Sequence, residues 1–183
     1  MNLVETKFPG VFILEPKVFR DERGFFLESF NKFFFEEKGF SVDFIQDNHA
    51  YSKGQGVLRG LHFQLPPFAQ TKLVWVTRGA VIDVVVDLRK GSPTYLQSFK
   101  IELSSENFRR LFIPKGFAHG YETLTDESEF MYKVDAGYSP SSEAGIRWDD
   151  KDLAIGWKTQ NPILSEKDNS LPSLDQFDSP FEF

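Results

Sequence analysis

Short apolar runs separated by turn residues recur along the chain: GVFILEP, GFFLESF, GVLRGLHFQ, TKLVWVTRG, AVIDVVVDLRKGSP, LQSFKIELS, RRLFIPKG, AHGYETL and SEFMYKVDAGYSP. They are rich in β-branched and aromatic residues, and this spacing predicts an all-β sandwich or barrel rather than alternating β-α units. One helix is predicted, capped by Asn31 ahead of KFFFEEK and closed by Gly39 where a left-handed residue belongs. No repeat or linker divides residues 1–183, so one domain is expected. The segment 162–183, with its prolines, serines and acids, predicts an irregular tail that folds back onto the barrel.

Composition narrows this picture modestly. A chain of 183 residues forms an ordinary core without staples, and 40% hydrophobic with 26% charged residues is typical of globular proteins. The 21 phenylalanines suit a wide β interior or a lined cavity, and equally a plain aromatic core. A net charge of −6 argues against a general nucleic-acid binder, though not against a small anion held by a few local cations. Without cysteine there are no disulfides or thiolate metal sites. No apolar stretch reaches membrane-spanning length and the N-terminus lacks a secretory pattern, so a cytoplasmic protein is expected.

The chemistry centres on GVLRGLHFQ, where Arg59 and His62 interrupt an apolar strand. A mid-strand arginine needs an anion or a carboxylate. Strict alternation puts Arg59 and His62 on opposite faces, so either a bulge lies near Gly60 or the two serve different surroundings. Gly56, His62, Gln64, Lys72 and Gly79, followed by Pro114-Lys-Gly116-Phe-Ala-His119, resemble the two motifs of the cupin superfamily. Gln64, Lys72 and Thr123 stand where metal-binding cupins carry a histidine, a glutamate and an asparagine. Loss of ligands and gain of a cation argue against a bound metal. A cation suits enolate formation, because it stabilises the oxygen on which charge develops. Histidine titrates near neutrality and serves as a base, while Tyr132 is a candidate to return the proton from the opposite face. The plainer readings are a hydrogen-bonded core histidine, an edge lysine and a core tyrosine.

Seven blocks in order resemble the dTDP-4-dehydrorhamnose 3,5-epimerase family: DERGFF (21–26), FIQDN (44–48), VLRGLHFQ (57–64), AQTKLV (69–74), IPKGFAHG (113–120), MYK (131–133) and LSEKD (164–168). The resemblance implies an all-β cupin-type double-stranded β-helix, or jelly-roll barrel, with short peripheral helices and neither metal nor cofactor. It implies inversion of C3 and C5 of dTDP-4-dehydro-6-deoxy-D-glucose in dTDP-L-rhamnose synthesis. His62 matches the general base, Asp168 its partner carboxylate, Tyr132 the general acid and Lys72 the group near the enolate oxygen. Arg59 matches a diphosphate contact, where a planar fork suits phosphate oxygens. Arg23, Glu28, Gln46, Asp47, Asn48, His119, Glu143 and Lys167 fall at further substrate-contact positions, with Phe26 and Tyr138 as packing partners for sugar or thymine. A homodimer that exchanges N-terminal strand contacts is implied as well. One departure is Asn169, where many relatives carry arginine. The same residues also fit an epimerase acting at one carbon, and the barrel also fits a non-catalytic sugar-nucleotide-binding module.

Overall fold

The computed structural model describes residues 1–183. Thirteen strands form in chain order: β1 (Asn2–Glu5), β2 (Phe12–Glu15), β3 (Val18–Asp21), β4 (Gly24–Leu27), β5 (Gln46–Lys53), β6 (Leu58–Gln64), β7 (Lys72–Arg78), β8 (Ala80–Asp87), β9 (Ser98–Ser104), β10 (Arg110–Ile113), β11 (Phe117–Thr123), β12 (Glu127–Val134) and β13 (Glu143–Gly145). A six-stranded sheet runs β1-β2-β10-β7-β12-β5, and a five-stranded sheet runs β13-β6-β11-β8-β9. All pairings within them are antiparallel. The fold is the expected cupin-type jelly roll.

Side-chain period two explains why the sheets layer as they do. Along β8, Val81 and Val85 join Val74, Leu111, Phe117 and Phe130 in a cluster fed by both sheets, the barrel interior. Val84 and Val86 point the other way and are covered by Ile146, Leu153, Trp157 and Phe181 from the C-terminal third. Both faces of β8 are therefore dry, which accounts for its nearly unbroken apolar run. On the outer face of the six-stranded sheet, Leu73, Trp75 and Phe112 pack against Phe35.

Phe35 belongs to helix α1 (Lys32–Glu37), whose Asn31 cap accepts hydrogen bonds from the Phe33 and Phe34 N–H groups. Gly39 has φ +81°, as expected just past the helix end. The tail is more ordered than predicted. Ile163 bridges Val57, Glu182 bridges Lys90, and residues Glu166–Asn169 form a one-turn helix, α2. No helix is long and apolar enough to cross a membrane.

Candidate active site

The parity conflict between Arg59 and His62 resolves at Gly60. His119 of β11 faces His62 and Tyr121 faces Arg59, so three steps along β6 match two along β11. That extra residue is a bulge, and it turns both basic side chains toward the same side. The bulge requires glycine: Gly60 has φ +123°, and a Cβ there would sit 2.6 Å from Gly120 Cα and 2.8 Å from His119 O. Two facing glycines thus allow β6 and β11 to approach closely enough to form the floor of a cavity.

That cavity has a volume of about 350 Å³ and is lined by Arg59, His62, Lys72, His119, Tyr132, Tyr138, Glu143, Lys167 and Asp168, together with Ala50, Gln70, Gly120, Tyr121, Phe130 and Ser165 among others. His62 Nε2 lies 2.5 Å from Asp168 Oδ1, a close approach outside the line of a directed hydrogen bond. With Nε2 facing the carboxylate, Nδ1 is left as the proton-accepting atom. Asp168 comes from α2, and the Ser165 cap holds it there. Ser165 Oγ accepts the Asp168 N–H at 3.1 Å and donates to Oδ2 at 2.7 Å, while the Gly60 N–H reaches Oδ1 at 3.3 Å. Burial pushes the Asp168 carboxyl up, but the His62 contact and the Ser165 and Gly60 donors outweigh it and hold the group below the usual carboxylate range.

Lys72 opens β7 and has no carboxylate within ion-pair distance. Burial lowers its pKa to about 8, against the opposing charges of Asp83 and Glu143. Tyr132 shares its strand face with Phe130, as alternation predicts. Burial and the Glu143 charge push its hydroxyl up, more than nearby Arg59 pulls it down, so Tyr132 holds its proton at neutral pH. Arg59 donates to Ser52 Oγ at 3.2 Å and to Tyr51 O at 3.1 Å, which fixes the guanidinium without consuming its charge.

The rim carries a second set. Tyr138 donates to Glu143 Oε2 at 2.7 Å, and Lys167 Nζ lies 2.5 Å from Glu143 Oε1. Gln46 and Asn48 lie on the face of β5 that also carries Ala50, and are joined at 2.9 Å. Asp47 is on the opposite face, paired with Lys133 at 2.7 Å. Arg23, Phe26 and Glu28 lie outside this chain's cavity. They sit on or just after the β3–β4 hairpin, where Arg23 pairs with Asp21 and Glu28 with Asn31. Gln64 is buried and fully bonded, donating to Phe68 O and Gly137 O and accepting from the Ser139 N–H. Thr123 bonds Gly54 O and the Val57 N–H. Gln64 is thus a structural clamp where a metal-binding cupin has a histidine ligand, Thr123 is one at the asparagine position, and no group of three or more His, Asp or Glu side chains is placed to hold a metal ion. Asn169 is an exposed residue at the end of α2, away from the Asp168 contacts.

Sequence reasoning missed Ser165, Gln70, Tyr121 and Asp83. The Ser-x-x-Asp spacing of 165–168 is a helix-capping signal, and a lone acid inside AVIDVVVD signals a buried carboxylate in need of a partner.

An imidazole beside a carboxylate, a phenol and an ammonium group around one cavity of a jelly-roll barrel are the groups that proton-transfer chemistry uses. The sequence profile of the family "dTDP-4-dehydrorhamnose 3,5-epimerase" matches residues 5–176. The chain belongs to that family and is an epimerase, of the isomerase class. It is 56% identical over 169 residues to the dTDP-4-dehydrorhamnose 3,5-epimerase of Shigella flexneri, covering 92% of this chain and 93% of that one. Its fold matches the Bacillus anthracis enzyme with TDP and PPi bound at a TM-score of 0.92 and 51% identity, over 94% of this chain and 99% of that one. It also matches the Legionella pneumophila enzyme in complex with dTDP-4-keto-L-rhamnose, at a TM-score of 0.92 and 45% identity, over 97% and 94% of the two chains.

Proposed function

We infer that the protein inverts C3 and C5 of dTDP-4-dehydro-6-deoxy-D-glucose to give dTDP-4-dehydro-L-rhamnose, a step of dTDP-L-rhamnose biosynthesis. The observation that carries the reading is the convergence of His62, Lys72 and Tyr132 on one cavity in a chain of this family.

In this reading His62 Nδ1 takes the proton from the carbon beside the C4 ketone. The C–H electron pair moves into a C=C bond, and the carbonyl pair moves onto the C4 oxygen as an enolate. The Lys72 ammonium stabilises that oxygen, worth most where water is excluded. Asp168 stabilises the imidazolium that forms. Tyr132 then delivers its proton to the opposite face of the same carbon, which inverts it, and solvent restores both groups. C3 and C5 both flank C4, so one constellation serves each in turn. Arg59 holds the diphosphate, and Tyr138, Glu143, Lys167, His119, Gln46 and Asn48 orient the rest of the nucleotide sugar, with Asp47 fixing β5 through Lys133.

The reading includes a homodimer. The β3–β4 hairpin joins neither large sheet and exposes Phe19, Phe25 and Phe26. Such an aromatic patch favours a second copy of the chain, into whose cavity the hairpin would carry Arg23, Phe26 and Glu28. Mixing Arg23→Ala and His62→Ala proteins should then restore activity through mixed dimers; two inactive proteins that stay inactive after subunit exchange count against a shared pocket.

The deciding experiment is incubation with dTDP-4-dehydro-6-deoxy-D-glucose in heavy water, followed by NMR. Deuterium is expected at both C3 and C5. Label at one carbon alone identifies a single-position epimerase, and binding without label identifies a non-catalytic module.

A further inference from the structure

The glutamine that stands where a metal-binding cupin carries a histidine has taken up other work. Gln64 ends β6 and is 5% exposed. Its Nε2 donates to Phe68 O at 2.7 Å and to Gly137 O at 3.1 Å, and its Oε1 accepts the Ser139 N–H at 2.7 Å. Both amide hydrogens are used, and one side chain joins the end of β6, the 65–68 turn and the 135–142 connection between β12 and β13. A neutral imidazole has a single N–H and could not make the same set.

Two of the three bonds fall on the peptide groups either side of Tyr138. The amide grips the Tyr138 main chain as a neighbouring strand would, and leaves the ring free. That ring is 58% exposed, so packing alone does not fix it, and Gly137 just before it adds backbone freedom. The Tyr138 phenol donates to Glu143 Oε2, and Glu143 lies opposite Gln64 in the β13–β6 ladder. Main chain and side chain of one glutamine therefore hold both members of the Tyr138–Glu143 pair at the cavity rim. Gln70 adds a bond to Ala136 O at 2.8 Å, and Asp135 Oδ1 accepts the Thr71 N–H at 2.7 Å.

We propose that Gln64 is a positioning residue for nucleotide-sugar binding, whose amide sets the Tyr138 segment of the rim in place before the ligand arrives. The inference rests on the substrate-orienting role given to Tyr138 above, and adds the group through which that role is exerted. A loose connection would have to be ordered as the ligand binds, and fixing the backbone of one residue costs about tenfold in affinity.

The test is Gln64→Met, which keeps the length of the side chain, removes all three bonds and adds no charge that would itself repel a diphosphate. Affinity for dTDP by calorimetry should weaken about tenfold, with KM rising in step and kcat staying within about threefold. The critical readout is the double variant. Because Gln64 acts through Tyr138, Gln64→Met should weaken dTDP binding by less than about twofold in a Tyr138→Ala background. Losses that multiply in the double variant, or a folded Gln64→Met protein that binds dTDP normally, overturn the proposal. A Tyr138→Ala protein that binds dTDP normally withdraws the role of Tyr138 itself and the proposal with it, so the two failures are told apart. Should Gln64→Met fail to fold, amide hydrogen exchange in the unaltered, ligand-free protein supplies the answer. The Ser139 N–H should exchange at least about 100-fold more slowly than in an unstructured peptide, and exchange at the unstructured rate overturns the proposal equally.

Discussion

Replacing Asp168 by asparagine isolates the charge behind the base. The amide has nearly the same shape, and its oxygen still accepts the Gly60 N–H while its NH2 turns to Ser165 Oγ, so the positions of α2 and His62 survive. What disappears is the negative charge facing the imidazolium as His62 takes its proton. With charge centres about 4 Å apart and an effective dielectric near 20, that interaction is worth about 4 kcal/mol. The His62 side chain is 30% exposed, so solvent screening reduces it to about 3 kcal/mol. At 1.36 kcal/mol per decade, kcat should drop about 100-fold or somewhat more. The assay is deuterium exchange from the 4-keto sugar nucleotide, run beside calorimetric dTDP binding, which should be unchanged. A folded Asp168→Asn enzyme that exchanges within about threefold of the unaltered rate would refute the reasoning. Stability provides a second, independent check. The folded state holds Asp168 below its unfolded value, so this carboxylate stabilises the fold above the unfolded pKa and ceases to do so as pH falls through the folded one. The stability gap between the two proteins should therefore be widest at neutral pH and close in acid, below about pH 4.

Three other changes follow from the same geometry. His62→Ala should abolish most exchange and leave dTDP binding largely intact, since a base acts in the transition state; lost binding with normal residual turnover contradicts that role. Arg59→Ala removes a charge-assisted phosphate contact worth about 1.5–3 kcal/mol, so dTDP affinity by calorimetry should weaken about 10- to 150-fold. Gly60→Ala drives a Cβ into the Gly120 backbone at a φ that side chains avoid. A loss of about 3 kcal/mol, seen as a fall of about 10 °C in Tm, is expected, and an unchanged melting curve would mean that the bulge does not depend on glycine.

Much of this protein was legible in local chemistry. The apolar runs marked the central strands because β7, β8 and β11 bury their faces on both sides and tolerate little else. Asn31 and Gly39 bounded the helix because capping is satisfied within a few residues. β5 escaped detection because QDNHAYSK is an edge strand with one face toward the cavity and one toward solvent, so it carries no apolar signal. The short strands β1, β3 and β13 escaped it too, because NLVE, VFRD and EAG carry at most two adjacent apolar side chains each.

The residue types of the site were present in the sequence, but their convergence was not. Asp168 reaches the base from a tail 108 positions beyond Gly60, and no local pattern records that return. The shared direction of Arg59 and His62 depends on Gly120 lying opposite Gly60, a fact about two strands rather than one. Asp83 reads as an anomaly in an apolar strand until β11 brings His119 beside it. Sequence by itself determined which groups can donate, accept or carry charge, and where the apolar central strands form, because those are properties of single residues and their neighbours. Only the tertiary structure decided which of them share a dry cavity, because burial and cross-strand distance set their protonation and both arise from chain segments far apart in order.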